Sequence, residues 1–206
     1  MLKTVLLYVF LLGFFTVSIK DGSLNKTAIV LDVDRTLIVF LSRTNNTKAL
    51  AKIIHQEIGG DLVSLELKNP YPENYQAIVK QVAEENETGF LPPLKTKVDM
   101  KKYETIFIGF PTWGMLLPPP IKSFLTENNL EGKTVIPFNT NAGYGVGSSF
   151  DTIEILCPNS KILEGFSIKG GKERDGIFLA IRGENEIEAK VAIKSWLSKI
   201  KLGVVD

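Results

Sequence analysis

The sequence predicts a doubly wound α/β domain, a parallel sheet with helices on both faces. Three observations carry this. Short apolar, β-branched runs alternate along the chain with helix-period patterns, as expected of strand–helix–strand units. The chain has 206 residues, 44% hydrophobic and 23% charged, which suits one domain with a substantial core. Three of the runs end in short polar or glycine-rich loops, at 42–47, 111–115 and 140–147. In such sheets ligands bind beyond the carboxyl ends of the strands.

The elements follow in chain order. Residues 1–19 stand apart from the fold: Lys3 precedes an almost wholly apolar run, Val5 to Ile19. That run is shorter than the roughly 20 residues of a spanning helix and suits a signal peptide or membrane anchor over residues 4–19. Thr16-Val17-Ser18 supplies small residues for cleavage. This start implies an exported or membrane-anchored, extracytoplasmic protein; with another role for it, the protein is cytoplasmic. Residues 20–35 read as a polar linker and strand entry. The domain then runs from 36 to 206. Thr36 to Leu41 is a buried strand, and Leu50, Ile53, Ile54 and Ile58 mark the inner stripe of the next helix. Gly59-Gly60 ends it, and Asp61 to Leu67 alternates as a second strand. A turn at 69–72 leads to a helix over about Asn74 to Glu87, with Ile78, Val79 and Val82 turned inward. The third strand, Thr105 to Phe110, runs into Pro111-Thr112-Trp113-Gly114-Met115, and prolines 118–120 open a helix from Ile121 to Glu127. Lys133 to Phe138 is the fourth strand. After its glycine-rich loop, Ser148 or Ser149 caps a further helix. Lys161 to Phe166 is the fifth strand, followed by a glycine-rich excursion to Gly176. A helix from Glu184 to Lys199, with Ile187, Val191, Ile193, Trp196 and Leu197, closes the domain.

Composition excludes several chemistries. The formal charge is +1 with Lys and Arg scattered, so a nucleic-acid footprint is missing. A single cysteine, Cys157, permits neither an intrachain disulfide nor a CxxC pair, and its apolar setting marks a small core residue. With one histidine, His55, metal-site spacing is absent; it lies off its helix's apolar stripe, as a solvated surface residue would. The run Ile29-Val30-Leu31-Asp32-Val33-Asp34-Arg35-Thr36-Leu37 resembles the nucleophile loop of haloacid dehalogenase-like phosphatases, in which the first Asp attacks phosphorus, the second protonates the leaving group and Mg²⁺ neutralises charge. The downstream aspartates are single, however, and supply no paired metal ligands. Gly143, Gly145 and Gly147 do not complete a dinucleotide fingerprint, since Ser148 holds its last place.

The stretch 42–47 carries the richest chemistry. A strand, a hydroxyl- and amide-rich loop and a helix N-terminus together make an anion site: first-turn amides lack intrahelical partners and the helix dipole adds positive character. Ser42, Thr44 and Thr47 add hydroxyls. The same residues also suit a plain helix cap. The loops 111–115 and 140–147 converge on the same sheet edge.

These loops resemble the flavodoxin family, in particular a subgroup with Trp in the second loop. Ser42-Arg43-Thr44-Asn45-Asn46-Thr47 is similar to the FMN phosphate loop SxTGNT, with Asn45 in place of glycine. Asn tolerates the left-handed conformation that the glycine supplies. Tyr71 to Tyr75, Tyr103 to Trp113 and Gly132 to Phe138 continue the likeness, which spans about residues 36–200. The resemblance implies a flavodoxin-like, five-stranded parallel sheet of order 2-1-3-4-5 with FMN at the switch point between its first and third strands. It also implies that Ser42, Thr44, Asn46 and Thr47 hold the phosphate within the loop that Arg43 and Asn45 complete. The loop Pro111, Thr112, Trp113, Gly114 and Met115 would lie against the isoalloxazine, with Trp113 as its wall, and Thr140, Asn141, Ala142, Gly143, Tyr144 and Gly145 would cover the other side. A core position is the alternative for Trp113, and an exposed loop position for Tyr144. The function implied is electron transfer by FMN with a redox partner protein; an FMN-dependent oxidoreductase acting on a quinone or similar small acceptor is the alternative, and the Asp32-Val33-Asp34 phosphatase the weaker one.

Overall fold

The computed structural model describes residues 29–200 and 202–204. The apolar start at 4–19 lies outside the described residues. Among the latter, no helix is long and apolar enough to cross a membrane.

The sheet is parallel throughout. Its strands are β2 (Thr36–Phe40), β3 (Asp61–Ser64), β4 (Thr105–Pro111), β5 (Thr134–Asn141), β6 (Lys161–Ile162) and β7 (Phe166–Lys169). The spatial order is β3-β2-β4-β5, with β6 and β7 both on the far side of β5. Counted in chain order, that is the 2-1-3-4-5 arrangement. The fifth position differs from expectation: the continuous strand 161–166 is two short strands. The Leu163 amide still donates to the Val135 carbonyl at 3.0 Å, the pairing then lapses until Phe166, and Gly165 lies against the Phe150 ring and Pro137.

Both faces of the sheet are buried, which explains the continuous apolar runs. Side chains alternate between two cores. Ile38, Phe40, Phe107, Ile136 and Phe138 meet α1 (Asn46–Ile58) and α5 (Glu184–Lys199) through Leu50, Ile54, Ile193 and Trp196. On the other face, Leu37, Val39, Ile106, Ile108, Phe110 and Val135 meet α3 (Pro119–Glu127) and α4 (Ser149–Leu156). Beside α3 lies α2 (Tyr75–Thr88), whose N-cap Asn74 accepts from the Ala77 amide.

Several expectations give way to finer geometry. Within the linker and strand entry, residues 29–31 form a short strand of their own, β1 (Ile29–Leu31), paired in parallel with β8 (Leu202–Val204) outside the main sheet. Val79 is exposed rather than inward-facing, and Ile187 and Val191 of α5 are exposed too, because the buried stripes of α2 and α5 are narrower than their hydrophobic patterns. His55 is half-buried, and its Nδ1 has no partner among the described residues. Cys157 is buried.

Candidate functional site

The carboxyl ends of β2, β4 and β5 place the loops 42–47, 111–115 and 140–147 side by side. They enclose a cavity of about 120 Å³ lined by Ser42, Arg43, Thr44, Asn46, Thr47, Pro111, Thr112, Trp113, Thr140, Asn141 and Ala142, together with Tyr75, Gly170, Gly171 and Glu173. The cavity sits between β2 and β4, where the chain turns from one side of the sheet to the other.

The loop after β2 is built to present protons. Asn45 takes the left-handed conformation, φ 65°, at the start of α1, which Asn accommodates better than other non-glycine residues. Among the described residues, the amides of Arg43, Thr44, Asn45, Asn46 and Thr47 meet no acceptor. The hydroxyls are oriented by bonds they accept. Ser42 Oγ accepts from the Lys48 amide at 3.2 Å, and Thr44 Oγ1 from Asn46 Nδ2 at 2.9 Å. Each keeps its own proton free. Thr47 and Thr140 share one hydroxyl bond of 2.8 Å, which uses one of their two protons. Free amides, spare hydroxyl protons and a helix N-terminus make an acceptor-only anion the natural occupant.

Two loop side chains have other duties. The amide of Asn46 is 3% exposed and fastens the segment 178–181, with Nδ2 donating to the Phe178 carbonyl and Oδ1 accepting from the amides of Ala180 and Ile181. Only its backbone amide remains for a ligand. The Arg43 guanidinium grips Glu173 through Nε and one terminal nitrogen, at 2.8 to 3.0 Å. Its other donors reach the carbonyls of Pro72 and Glu73. This half-buried fork ties together three loops and neutralises Glu173.

The second loop closes on itself. Trp113 and Leu116 exchange backbone bonds around Gly114 and Met115, whose φ values of 59° and 62° make a two-residue turn of the hairpin type. Ser148 donates its amide to the Met115 carbonyl at 3.0 Å. Trp113 is half-buried, neither core nor free, and its ring meets the Tyr71 ring edge-on at 5.6 Å. Tyr71 is held in turn by its hydroxyl bond to the buried Glu85 carboxylate; burial and that carboxylate push the phenol far above its ordinary range.

In the third loop, Asn141 Oδ1 accepts from the amides of Gly143 and Gly145, at 2.8 and 3.1 Å. Thr112 Oγ1 donates to the Gly145 carbonyl at 3.0 Å, tying loop two to loop three. Tyr144 stands 61% exposed, with Lys172 Nζ at 5.6 Å from its ring centroid. The neighbouring cations Lys172 and Arg174 lower its phenol below the ordinary value.

Two larger clefts open from the cavity, one on each side of the 113–116 turn. One, of about 500 Å³, runs between Gly114, Met115, Tyr144, Gly145, Lys172 and Arg174. The other, of about 400 Å³, runs between α2 and Trp113. All three spaces meet at Tyr75, Thr112 and Glu173. Asn45 and Gly143 shape the loops without lining these spaces.

Sequence reading missed the 170–175 wall and Tyr75. The legible signal was the Gly170-Gly171 pair: a Cβ on Gly171 would lie 1.9 Å from the Phe178 carbonyl and 2.9 Å from Asn46 Nδ2, so this wall fits against loop one only without a side chain. The Asp32–Asp34 motif assembles nothing comparable. Asp32 caps a single turn by accepting from the Asp34 amide, at the amino end of β2 and opposite the loop cavity. Among the described residues, no three His, Cys, Asp or Glu side chains are grouped to hold a metal ion.

The flavodoxin family model matches residues 35–179. Among solved structures, a protein assigned as a flavoprotein from Bacteroides eggerthii is 26% identical, with a TM-score of 0.67 over 82% of this chain and 99% of that one. A similarly assigned protein from Bacteroides uniformis is 24% identical, with a TM-score of 0.64 over 79% and 99%. A Lactobacillus acidophilus flavoprotein solved in complex with FMN is 21% identical, with a TM-score of 0.59 over 70% and 98%. None of the curated proteins compared by sequence matches the chain.

Proposed function

The chain belongs to the flavodoxin family, and on that premise we propose that it binds FMN and carries electrons to or from a redox partner protein. The observation that carries the reading is the proton-rich cavity at the start of α1, where the amides of 43–47 and the hydroxyls of Ser42, Thr44 and Thr47 await an anion. A phosphate there is held by neutral donors and the helix dipole, since Arg43 is already neutralised by Glu173. Pro111 to Met115 and Thr140 to Gly145 would hold the flavin ring between them and offer backbone amides and carbonyls to its polar edge. When bound, FMN supplies the redox chemistry; the protein supplies orientation, water exclusion and electrostatics. The bound FMN of the Lactobacillus flavoprotein supports the same choice of cofactor.

The deciding experiment is titration of flavin-free protein with FMN, followed by anaerobic stopped-flow mixing of the loaded protein with NADH and NADPH. Tight stoichiometric binding with slow nucleotide reduction is expected of a carrier. Failure to bind FMN refutes the cofactor assignment, and rapid saturable reduction makes the protein an FMN-dependent oxidoreductase.

A further inference from the structure

Helix α2 is apolar beyond what the core uses. Ile78 and Val82 are buried, whereas Val79 is 46% exposed and Ala83 lies open beside it. These four residues recur at spacings of three and four, so they form one continuous strip along the helix. The strip faces Trp113 and Leu116 across the cleft of about 400 Å³. That volume falls in the range of small-molecule sites, about 300 to 1,000 Å³, and is too small to seat a partner's helix. The charged residues on its wall are Arg43 and Glu173, which neutralise each other across bonds of 2.8 to 3.0 Å. An ionised ligand entering here would give up its hydration without gaining a counter-charge. A neutral, flat, apolar one would gain aliphatic contact from α2 and an aromatic wall from Trp113. Trp113 lines this cleft and the phosphate cavity but not, as the resemblance implied, the cleft between the 111–115 and 140–147 loops.

The loops that border the flavin's expected position, 111–115 and 140–147, face each other across the opposite cleft, where Lys172 and Arg174 share the single Asp175 carboxylate and leave one cation in excess. The two clefts thus differ in character as well as in place. We propose that the cleft between α2 and Trp113 is a second binding site, separate from the flavin's, for a neutral planar aromatic of one or two fused rings. The flavin is not required for this binding, so the inference goes beyond the FMN reading rather than resting on it.

The probe is 2,3-dimethyl-1,4-naphthoquinone, which has no free ring position for a thiol to add to. It is titrated into flavin-free protein and followed by tryptophan fluorescence. Of the two tryptophans, Trp196 is 6% exposed with its indole N–H bound to the Glu164 carbonyl, so saturable quenching reports Trp113. Ala83→Glu, at an open helical position, should raise the apparent Kd about tenfold or more by placing a charge in the apolar strip. FMN affinity should change less than about twofold, because Ala83 lines neither the phosphate cavity nor the cleft between the 111–115 and 140–147 loops. Equilibrium dialysis with and without saturating FMN should show the naphthoquinone bound in both. Absence of saturable quenching, quenching unchanged in Ala83→Glu, or displacement by FMN would each overturn the second site. A protein that fails to take FMN yet keeps the Ala83-sensitive quenching would refute the FMN assignment and leave this one in place.

Discussion

Thr47→Val tests the anion site at its most buried point. Thr47 is 1% exposed and its hydroxyl is 2.8 Å from that of Thr140. Valine keeps the shape and the β-branch, so α1 retains its packing, and the change reduces to one lost hydroxyl. The loss has two parts. A neutral hydroxyl bond to Thr140 goes, costing about 0.5–1.5 kcal/mol of folding stability. A proton donor to the phosphate also goes. Hydrogen bonds to charged groups contribute about 1.5–3 kcal/mol, so FMN affinity should fall about 10- to 150-fold. Riboflavin has the same ring and side chain without the phosphate, and its affinity should stay within about twofold. Flavin fluorescence during titration of both ligands into parent and variant measures the four constants needed. Equal losses for FMN and riboflavin would show that Thr47 acts through the ring or through general unfolding. An unchanged FMN constant would show that the phosphate is not seated at the start of α1.

Gly109→Ala probes the sheet beneath the site. A Cβ there would fall 2.1 Å from the Phe138 ring, and neither central strand can move without disturbing the β4–β5 ladder; a destabilisation of about 3 kcal/mol is expected, read as a lowered midpoint in urea unfolding. Burial pushes the Cys157 thiol up to about 11. The sign is that of a group kept neutral in the folded state: below the unfolded pKa near 9 it has no effect, and stability falls as pH rises from there towards 11. Stability from urea unfolding should fall across that window for the parent and fall less steeply for Cys157→Ala, and an equal slope in both would show that the alkaline loss has another origin.

Much of the architecture was legible because it rests on local chemistry. Continuous apolar runs such as Thr36 to Leu41 specify strands buried on both faces, and the stripe Leu50, Ile53, Ile54 and Ile58 specifies a helix lying on them. Their alternation leaves few topologies, since parallel strands need crossover helices and the crossovers share one hand. The loops at the strand ends could therefore be assigned to one edge of the sheet from their order alone. Even Asn45 was readable, because a left-handed residue before a helix restricts the choice of side chain.

Hydrophobic period and turn chemistry, acting within a few residues, set the strand–helix order, the two-faced sheet and the loops that converge on one edge. Tertiary structure alone decided the partners of the polar side chains. Arg43 and Glu173 lie 130 positions apart and Asn46 and Phe178 lie 132 apart, separations at which no local pattern links one residue to the other. Only the packed fold turns Arg43 from a member of the candidate cofactor loop into a strap across three loops, commits the Asn46 side chain to the 178–181 segment, and brings Gly170 and Gly171 against α1 as the cavity wall. Burial was likewise decided in three dimensions: the same helical period places Ile78 in the core and leaves Val79 at the edge of a cleft, because neighbouring elements cover one side of that stripe and not the other.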